Sequence, residues 1–281
     1  MGNAVSQDLA AVEITTTHVS GNIYMLQGQG GNIGVSAGPD GVLIVDDQFA
    51  PLAEKIRQAL TKIRAGQLKF VLNTHWHGDH TGGNQVFGRE ATIIAHTNVR
   101  RRLTTEVNRD GQVTPPAPPE AWPVITFDES LSVHFNGEEI RALHYPNGHT
   151  DGDSVVIFKE SKVVHMGDHF FRDRFPFVDI ASGGDALGLL ENVGKVIGEI
   201  EKMTGNVRII PGHGELSNLR DLRRYHSMLT ETVQHIRQGM RDGLGLEALR
   251  ERGLDAKYAS WGTGFINQDR WIGFVYQSLL R

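Results

Sequence analysis

The chain has 281 residues, with 28 Lys and Arg against 33 Asp and Glu, which gives a formal net charge of −5. Because phosphate contacts need clusters of Lys and Arg, this balance argues against nucleic acid as the main partner. The absence of cysteine excludes disulfides and thiolate metal ligands. No run of about 18 apolar residues occurs, so no membrane-spanning helix is expected. The length suffices for a sizeable core, and we expect one domain over residues 1–281.

The first part of the chain predicts short strands followed by a helix. The strands are predicted at Asn22–Leu26, Gly31–Ala37, Gly41–Asp46, Lys69–Asn73 and Ala91–Ala95. The turn Gly38–Gly41, which contains Pro and Asp, indicates a hairpin between two of them. Proline at its start and apolar residues at helical spacing predict an amphipathic helix over Pro51–Arg64, and a second helix is predicted over Thr97–Arg109.

The rest of the chain repeats this order of strands and then helices. Further strands are predicted from Ile125 onward, at Leu131–Phe135, Glu138–Tyr145, Ser154–Phe158, Lys162–Met166 and Val207–Pro211, and helices at Asp185–Glu201, at Leu219–Gly239 and within residues 217–281. The four prolines of Gln112–Glu120 predict a stiff polyproline-like strap, with a plain surface connector as the alternative. Periodicity alone predicts an α/β or α+β fold with two sheets.

One loop concentrates metal-binding side chains directly after a predicted strand. His75 and His77 are two residues apart in extended backbone, so both side chains leave on one face. Asp79 and His80 follow from the turn and point elsewhere, which favours a second ion. The alternative is a histidine-rich surface loop that binds nothing.

Three more candidate ligands occupy similar positions elsewhere in the chain. His149, Asp168 and His213 each follow an apolar strand and are flanked by glycine. Each signal is weak alone, but four such strand ends in one chain indicate a metal site. Imidazole and carboxylate ligands suit zinc, with iron or manganese as alternatives. Three histidines on one ion leave an open position, which is typical of a catalytic site.

In order and spacing, these residues resemble the five-motif pattern of the metallo-β-lactamase superfamily, from about Val42 to about Gly214. The resemblance implies a four-layer αββα sandwich of two similar halves, with the metal site at one edge between the sheets. It also implies two divalent ions, expected to be Zn²⁺. One ion would be bound by His75, His77 and His149, and the other by Asp79, His80 and His213. Asp168 would bridge the two.

The resemblance further implies a hydrolase in which a metal-bound hydroxide attacks a cyclic amide, ester or thioester carbonyl and Asp79 acts as a catalytic residue. The β-lactamases with a cysteine ligand carry it where this chain has Asp168, and they carry a substrate-anchoring lysine where it has Phe171. A second β-lactamase group shares His80 but lacks the bridging aspartate. The ligand set is therefore closer to that of glyoxalase II, and at most weak or promiscuous β-lactamase activity is expected.

Some further residues are predicted to shape or support the site. Phe171 is expected to line an apolar wall, and Arg172 or Arg174 to meet a substrate anion. Asp46 and Asp47 end a strand at the expected metal edge, and one of them, taken as Asp46, is predicted to orient a ligand histidine or the loop backbone. Three other histidines lack the loop setting, and we expect structural roles for them: His144, His165 and His169.

Other readings of the same residues stay open. A mononuclear iron dioxygenase acting on persulfides, a phosphodiesterase and a non-catalytic metal-binding protein could all use this scaffold. The expected partner is a small-molecule substrate, with no nucleic acid and no membrane, and the oligomeric state is not predicted. Residues 1–8 lack the charged and apolar regions of a signal peptide, whereas Ala4–Leu9 is typical of the start of a mature exported chain. This favours the periplasm, with the cytoplasm as the alternative.

Overall fold

The computed structural model describes residues 9–64, 66–109 and 112–281. The chain divides into two units, Met1–Phe127 with Phe135–Gly137 and Asp128–His134 with Glu138–Arg281. Each unit carries one main β-sheet and its own helices, which confirms the mixed α/β class. The single domain over residues 1–281 stays a prediction, and the expectation for residues 1–8 lies outside the described part of the chain.

The strands of the first unit are β1 Thr15–Ser20, β2 Ile23–Gln27, β3 Ile33–Gly38, β4 Gly41–Val45, β5 Leu68–Leu72, β6 Thr92–His96, the short pair β7 Val107–Arg109 and β8 Gln112–Thr114, and β9 Ile125–Phe127. Seven of them form the main sheet of this unit, in the order β1-β2-β3-β4-β5-β6-β9. Neighbours from β1 to β4 are antiparallel, and those from β4 to β9 are parallel. The predicted hairpin turn is confirmed, because Gly38 pairs with Gly41.

The parallel strands bring their carboxyl ends to one edge of this sheet. Strand β4 is buried along its whole length, as expected for a parallel strand that is covered on both faces. The ladder continues past the strand ends, where Asp46 N donates to Leu72 O and Asn73 N donates to Ile94 O, each over 2.9 Å. The residues that follow β4 and β5 therefore lie side by side at this edge.

The helices of the first unit are short. They are α1 Ala53–Ile63, the single turns α2 Gly78–Thr81 and α3 Asn84–Phe87, and α4 Thr97–Thr104. The prediction of a helix to Arg109 was wrong, because Thr105 turns to extended backbone and β7 then pairs with β8. Part of the predicted strap is likewise strand β8, and a 3₁₀ turn forms at Pro119–Ala121. Pro118 has the φ of −63° and ψ of 152° of polyproline backbone.

The strands of the second unit are β10 Ser130–Phe135, β11 Glu138–His144, β12 Ser154–Phe158, β13 Val163–His165, β14 Arg208–Ile210 and β15 Ser217–Asn218. They form a six-stranded sheet in the order β10-β11-β12-β13-β14-β15. The helices of this unit are α5 Ala186–Lys202, α6 Leu219–Arg241, α7 Leu246–Arg252 and α8 Gln268–Leu279. Asp185 caps α5, because its Oδ1 accepts from the amides of Leu187 and Gly188. The C-terminal helices expected within residues 217–281 are confirmed.

A single apolar core holds the C-terminal helices to the rest of this unit. Trp271 and Ile272 of α8 belong to the same buried cluster as Phe170 and Phe175, which follow β13. Trp271 Nε1 also donates to Thr232 Oγ1 of α6 over 3.0 Å. None of the helices in the described ranges combines the length and the apolar character that a bilayer crossing requires.

Candidate metal centre

The His-x-His pair leaves the end of β5 with its two rings close together. Nε2 of His75 and Nδ1 of His77 lie 3.1 Å apart, and the ring planes are perpendicular. Two nitrogens at this separation can bind one ion, since Zn–N distances are about 2.0–2.1 Å. The other nitrogen of His75, Nδ1, lies 3.1 Å from Thr74 Oγ1. Thr74 Oγ1 donates its own proton to Asp46, so it accepts from His75, and Nε2 is left as the donor to a metal.

Asp46 is the buried carboxylate that organises this loop. Its Oδ1 accepts from the amide of Thr74 and its Oδ2 accepts from Thr74 Oγ1, each over 2.7 Å. Oδ2 also lies 2.7 Å from Nδ1 of His80. Asp46 has a φ of 65°, a left-handed conformation in which its side chain reaches both neighbours. These contacts support the predicted orienting role of Asp46.

Asp79 and His80 lie in the single-turn helix α2. His80 is fully buried, whereas the side chain of Asp79 is 31% exposed, and Asp79 Oδ2 lies 3.7 Å from His80 Nε2. Asp79 is therefore the acidic group of this loop that solvent or a substrate can reach. Neighbouring Asp47 is buried with Oδ1 accepting from the Gly83 amide, and burial raises the pKa of its carboxyl well above the usual value.

Gly31 is a contact of this loop that the sequence did not identify. Its amide donates to Asp79 O over 3.0 Å, and its carbonyl accepts from Gln48 Nε2 over 2.7 Å. A Cβ atom at Gly31 would overlap the ring of His80. The glycine-rich run before β3 thus allows the backbone to pack directly on the ring of a candidate metal ligand, and that run was the only sequence signal for it.

In the second unit, Asp168 lies next to two histidines. Its Oδ2 is 3.3 Å from Nε2 of His149, and its Oδ1 is 3.4 Å from Nε2 of His213. Nδ1 of His149 donates to Phe177 O over 2.8 Å, which leaves Nε2 available to a metal. One carboxylate oxygen therefore faces each histidine, as a bridging ligand requires.

A buried polar cluster supports the loop that carries His149. The carboxylate of Asp153 accepts from the amide of Thr150 over 2.8 Å and from Thr150 Oγ1. Burial raises the pKa of Asp153 to about 8 and lowers the pKa of nearby His169 to about 3. His169 Nε2 lies 3.3 Å from Asn192 Nδ2, a residue of α5. Asp153 and Asn192 carry no sequence signal of their own.

The histidines for which structural roles were expected contact backbone or buried polar groups. His144 Nδ1 donates to Asp153 O over 2.8 Å, and the amide of Gly167 donates to His165 Nδ1 over 3.2 Å. Burial holds the pKa of His144 below its usual value.

Seven side chains of the described residues are candidate metal ligands: His75, His77, Asp79 and His80 in the first unit, and His149, Asp168 and His213 in the second. All seven are imidazoles or carboxylates, the donor types that zinc, iron and manganese accept. The residues present therefore fit a divalent metal.

The predicted substrate-binding residues differ in their surroundings. The ring of Phe171 stacks on His213 at 5.1 Å and lies 6.1 Å from the ring of His149, so it forms an apolar wall beside two candidate ligands. Nη1 of Arg172 donates to Leu216 O and Ser217 Oγ. Arg174 is exposed. Substrate binding by these three residues stays a prediction.

The sequence matches a family model described as the metallo-beta-lactamase superfamily over residues 16–227. A lactamase-like protein of Pestalotiopsis microspora is 30% identical over 186 residues, which are 65% of this chain and 46% of that protein. An atrochrysone carboxyl ACP thioesterase of Emericella nidulans is 26% identical over 184 residues, which are 65% of this chain and 50% of the thioesterase. The chain spans about half the length of the curated relatives it matches.

Solved structures share the fold at low sequence identity. The DIM-1 metallo-beta-lactamase superposes with a TM-score of 0.63 at 18% identity, over 78% of this chain and 98% of that one. A double mutant of the sec-alkyl sulfatase PisA1 superposes with a TM-score of 0.72 at 16% identity, over 95% of this chain and 50% of that one. The two sheets and their helices match the sandwich fold of these proteins. Since the family model covers more than half of its residues, the chain belongs to the metallo-β-lactamase superfamily.

Proposed function

We propose that the protein is a hydrolase that holds two divalent ions, zinc in type, and cleaves an ester, thioester or cyclic amide at its carbonyl. The observation that carries the proposal is a set of seven candidate donors composed of histidine and aspartate alone. An open coordination position beside three histidines is the arrangement of catalytic rather than structural metal sites.

The ions would be held by His75, His77 and His149 on one side and by Asp79, His80 and His213 on the other, with Asp168 between them. Bound divalent ions supply Lewis acidity to a water molecule and to a carbonyl oxygen. The chain's own residues position the reactants. Asp79 is partly exposed, so its carboxylate can accept a hydrogen bond from the attacking water and orient it. Phe171, beside two ligand rings, excludes solvent from one wall.

We propose that esters, lactones and thioesters are better substrates than penicillins or carbapenems. If Asp168 bound both ions, its negative charge would weaken them as electrophiles towards an amide with a poor leaving group. Phe171 provides no ammonium to anchor a drug carboxylate, a charge-assisted contact of about 1.5–3 kcal/mol. The thioesterase names among the relatives support the same preference.

Metal quantification followed by a substrate panel tests the proposal. We expect two ions per chain and turnover of p-nitrophenyl acetate, a lactone or an acyl thioester at least as fast as that of a penicillin. One iron per chain with oxygen consumption on a persulfide would instead identify the dioxygenase. Efficient hydrolysis of penicillin, in the range of about 10⁴–10⁸ M⁻¹s⁻¹, with esters and thioesters ignored would contradict the substrate preference.

We also propose that the protein acts in the periplasm on a small molecule. Fractionation of cells expressing the natural gene tests this, and recovery in the cytoplasm alone would contradict it.

A further inference from the structure

A row of aromatic rings leads from His149 to the surface of the second unit. The ring of Phe177 packs edge-on against that of His149 at 5.6 Å, and Phe177 O accepts the His149 Nδ1 proton. Phe177 contacts Phe265 at 6.1 Å and Phe274 at 5.6 Å, again edge to face. Phe177 is thus fixed to a candidate metal ligand, and Phe265 is the next ring outward.

Phe265 is an exposed aromatic residue held in a defined position. Its side chain is 76% exposed, the largest value among the exposed large apolar residues of the described ranges. The guanidinium of Arg270 lies 4.6 Å above the ring centroid, and Arg270 Nη1 donates to Phe265 O over 3.0 Å. Asn267 caps α8 by accepting from the Arg270 amide. A lone exposed apolar residue is ordinary, but a fixed ring in contact with the ligand environment is not explained by packing.

We propose that Phe177 and Phe265 form a subsite for the apolar acyl or aryl group of the substrate. The inference rests on the proposed function, which places the substrate carbonyl beside His149. An acyl chain running outward from that carbonyl would contact Phe177 first and Phe265 next. Because Arg270 covers one face of the Phe265 ring, the chain would contact the opposite face. The substrate class is accordingly an ester or thioester of a medium-chain or aromatic acid.

Phe265 lies outside the part of the chain that the family model matches. The family model ends at residue 227, so Phe265 and Phe274 lie in the C-terminal segment beyond it. That segment packs on the same core as the residues after Asp168, and the amide of Phe175 donates to Trp261 O over 3.0 Å. An element outside the shared motifs therefore presents an aromatic side chain next to them, as expected of a determinant of specificity.

Ligand binding tests the subsite without requiring turnover. Calorimetric titration of octanoate and acetate into the metal-loaded protein would compare the natural chain, Phe265→Ser and the control Leu280→Ser. Leu280 is 65% exposed in the same unit and has no place in the subsite, so its replacement removes similar apolar surface. We expect the octanoate Kd to rise about tenfold in Phe265→Ser and to stay unchanged in the control. Equal octanoate Kd values for the natural chain and Phe265→Ser, or no preference of the natural chain for octanoate over acetate, would overturn the proposal.

Measurements of ester hydrolysis distinguish a failure of the proposed subsite from a failure of the proposed reaction. For p-nitrophenyl octanoate against p-nitrophenyl acetate, Phe265→Ser should lower the ratio of kcat/KM values, mainly by raising the KM of the octanoate ester. Hydrolysis of both esters with an unchanged ratio would overturn the subsite alone. Octanoate binding that depends on Phe265, with neither ester hydrolysed, would support the subsite and contradict the proposed reaction.

Discussion

Nδ1 of His80 lies 2.7 Å from Oδ2 of Asp46, and both side chains are fully buried. The imidazole therefore donates from Nδ1 and presents Nε2 as its metal-binding nitrogen. The same Oδ2 accepts from Thr74 Oγ1, the group that contacts Nδ1 of His75. One carboxylate thus sets the tautomer of two candidate ligands, which the proposed function assigns to different ions.

Replacing Asp46 should weaken the binding of both proposed metal ions. In Asp46→Asn, the carboxylate that faces Thr74 and Nδ1 of His80 is replaced by a neutral amide, which binds these donors less strongly. We therefore expect metal affinity to fall about 10–100-fold. Competition with a chelator measures it. The matched control is Asp47→Asn, because Asp47 is as fully buried as Asp46 and an amide oxygen at this position can still accept from the Gly83 amide, as Oδ1 does. Equal losses in the two variants would contradict a specific role for Asp46.

A methyl group at Gly31 should displace His80, a candidate metal ligand. The Cβ of Gly31→Ala would overlap the His80 ring, so we expect an overpacking cost of about 1–3 kcal/mol in the free energy of unfolding, together with weaker metal binding. Gly78→Ala is the control within the same loop, since its Cβ would have no atom within 4 Å. Urea unfolding and metal titration measure the two effects. If Gly31→Ala had the same free energy of unfolding and the same metal affinity as the natural chain, the His80 ring could move without cost and the prediction would be wrong.

Removal of the Asp79 carboxylate should slow turnover. An amide at this position no longer accepts the proton of the attacking water, and a lost acid–base group lowers kcat about 10²-fold or more. Steady-state kinetics on the best substrate of the panel measure it, with metal content determined in the same sample. Asp269→Asn, an exposed carboxylate in the first turn of α8, is the control. A fully loaded Asp79→Asn protein with undiminished kcat would exclude this role, and so would an acyl-enzyme trapped by mass spectrometry.

His226 should make the protein less stable in mild acid. Burial lowers the pKa of His226 from its usual value, about 6.5, so the folded state resists a proton that the unfolded chain accepts. Stability is therefore full above about pH 6.5 and is lost as the pH falls towards the folded-state pKa. In His226→Gln, the decrease in the free energy of unfolding from pH 7.5 to 5.5 should be smaller than in the natural chain. Exposed His134→Gln is the control, and identical decreases in all three proteins would refute the assignment.

The sequence predicted most strands and the donor residues because both depend on local signals. An apolar run followed by a histidine or aspartate in a polar loop marks a strand and a candidate ligand together, as at β5 and His75. Strand β1 was missed since its Thr, His and Ser residues are mostly exposed at a sheet edge and lack an apolar face. The pairing of β7 with β8 was missed because it follows directly from a basic helical pattern.

The supporting residues were beyond prediction because their roles depend on long-range contacts. Gly31 contacts His80, and Asp153 contacts the loop of His149, only after the chain has folded back on itself. Asp46 was predicted from its position at a strand end, but its choice over Asp47 required the geometry. The assignment of Phe265 needed three segments of the chain placed around Phe177.

The shared core of the second unit also bears on how such enzymes diversify. The segment that carries Phe265 includes Trp261 and Trp271, which pack with Phe170 and Phe175 beneath the loop of Asp168. This segment cannot be replaced as a unit by the segment of a relative, since the new side chains would have to fill the same volume in the buried core that contains Phe170 and Phe175. A change of acyl preference should therefore require only a substitution at Phe265, whereas replacement of the whole segment would destabilise the loop that carries Asp168.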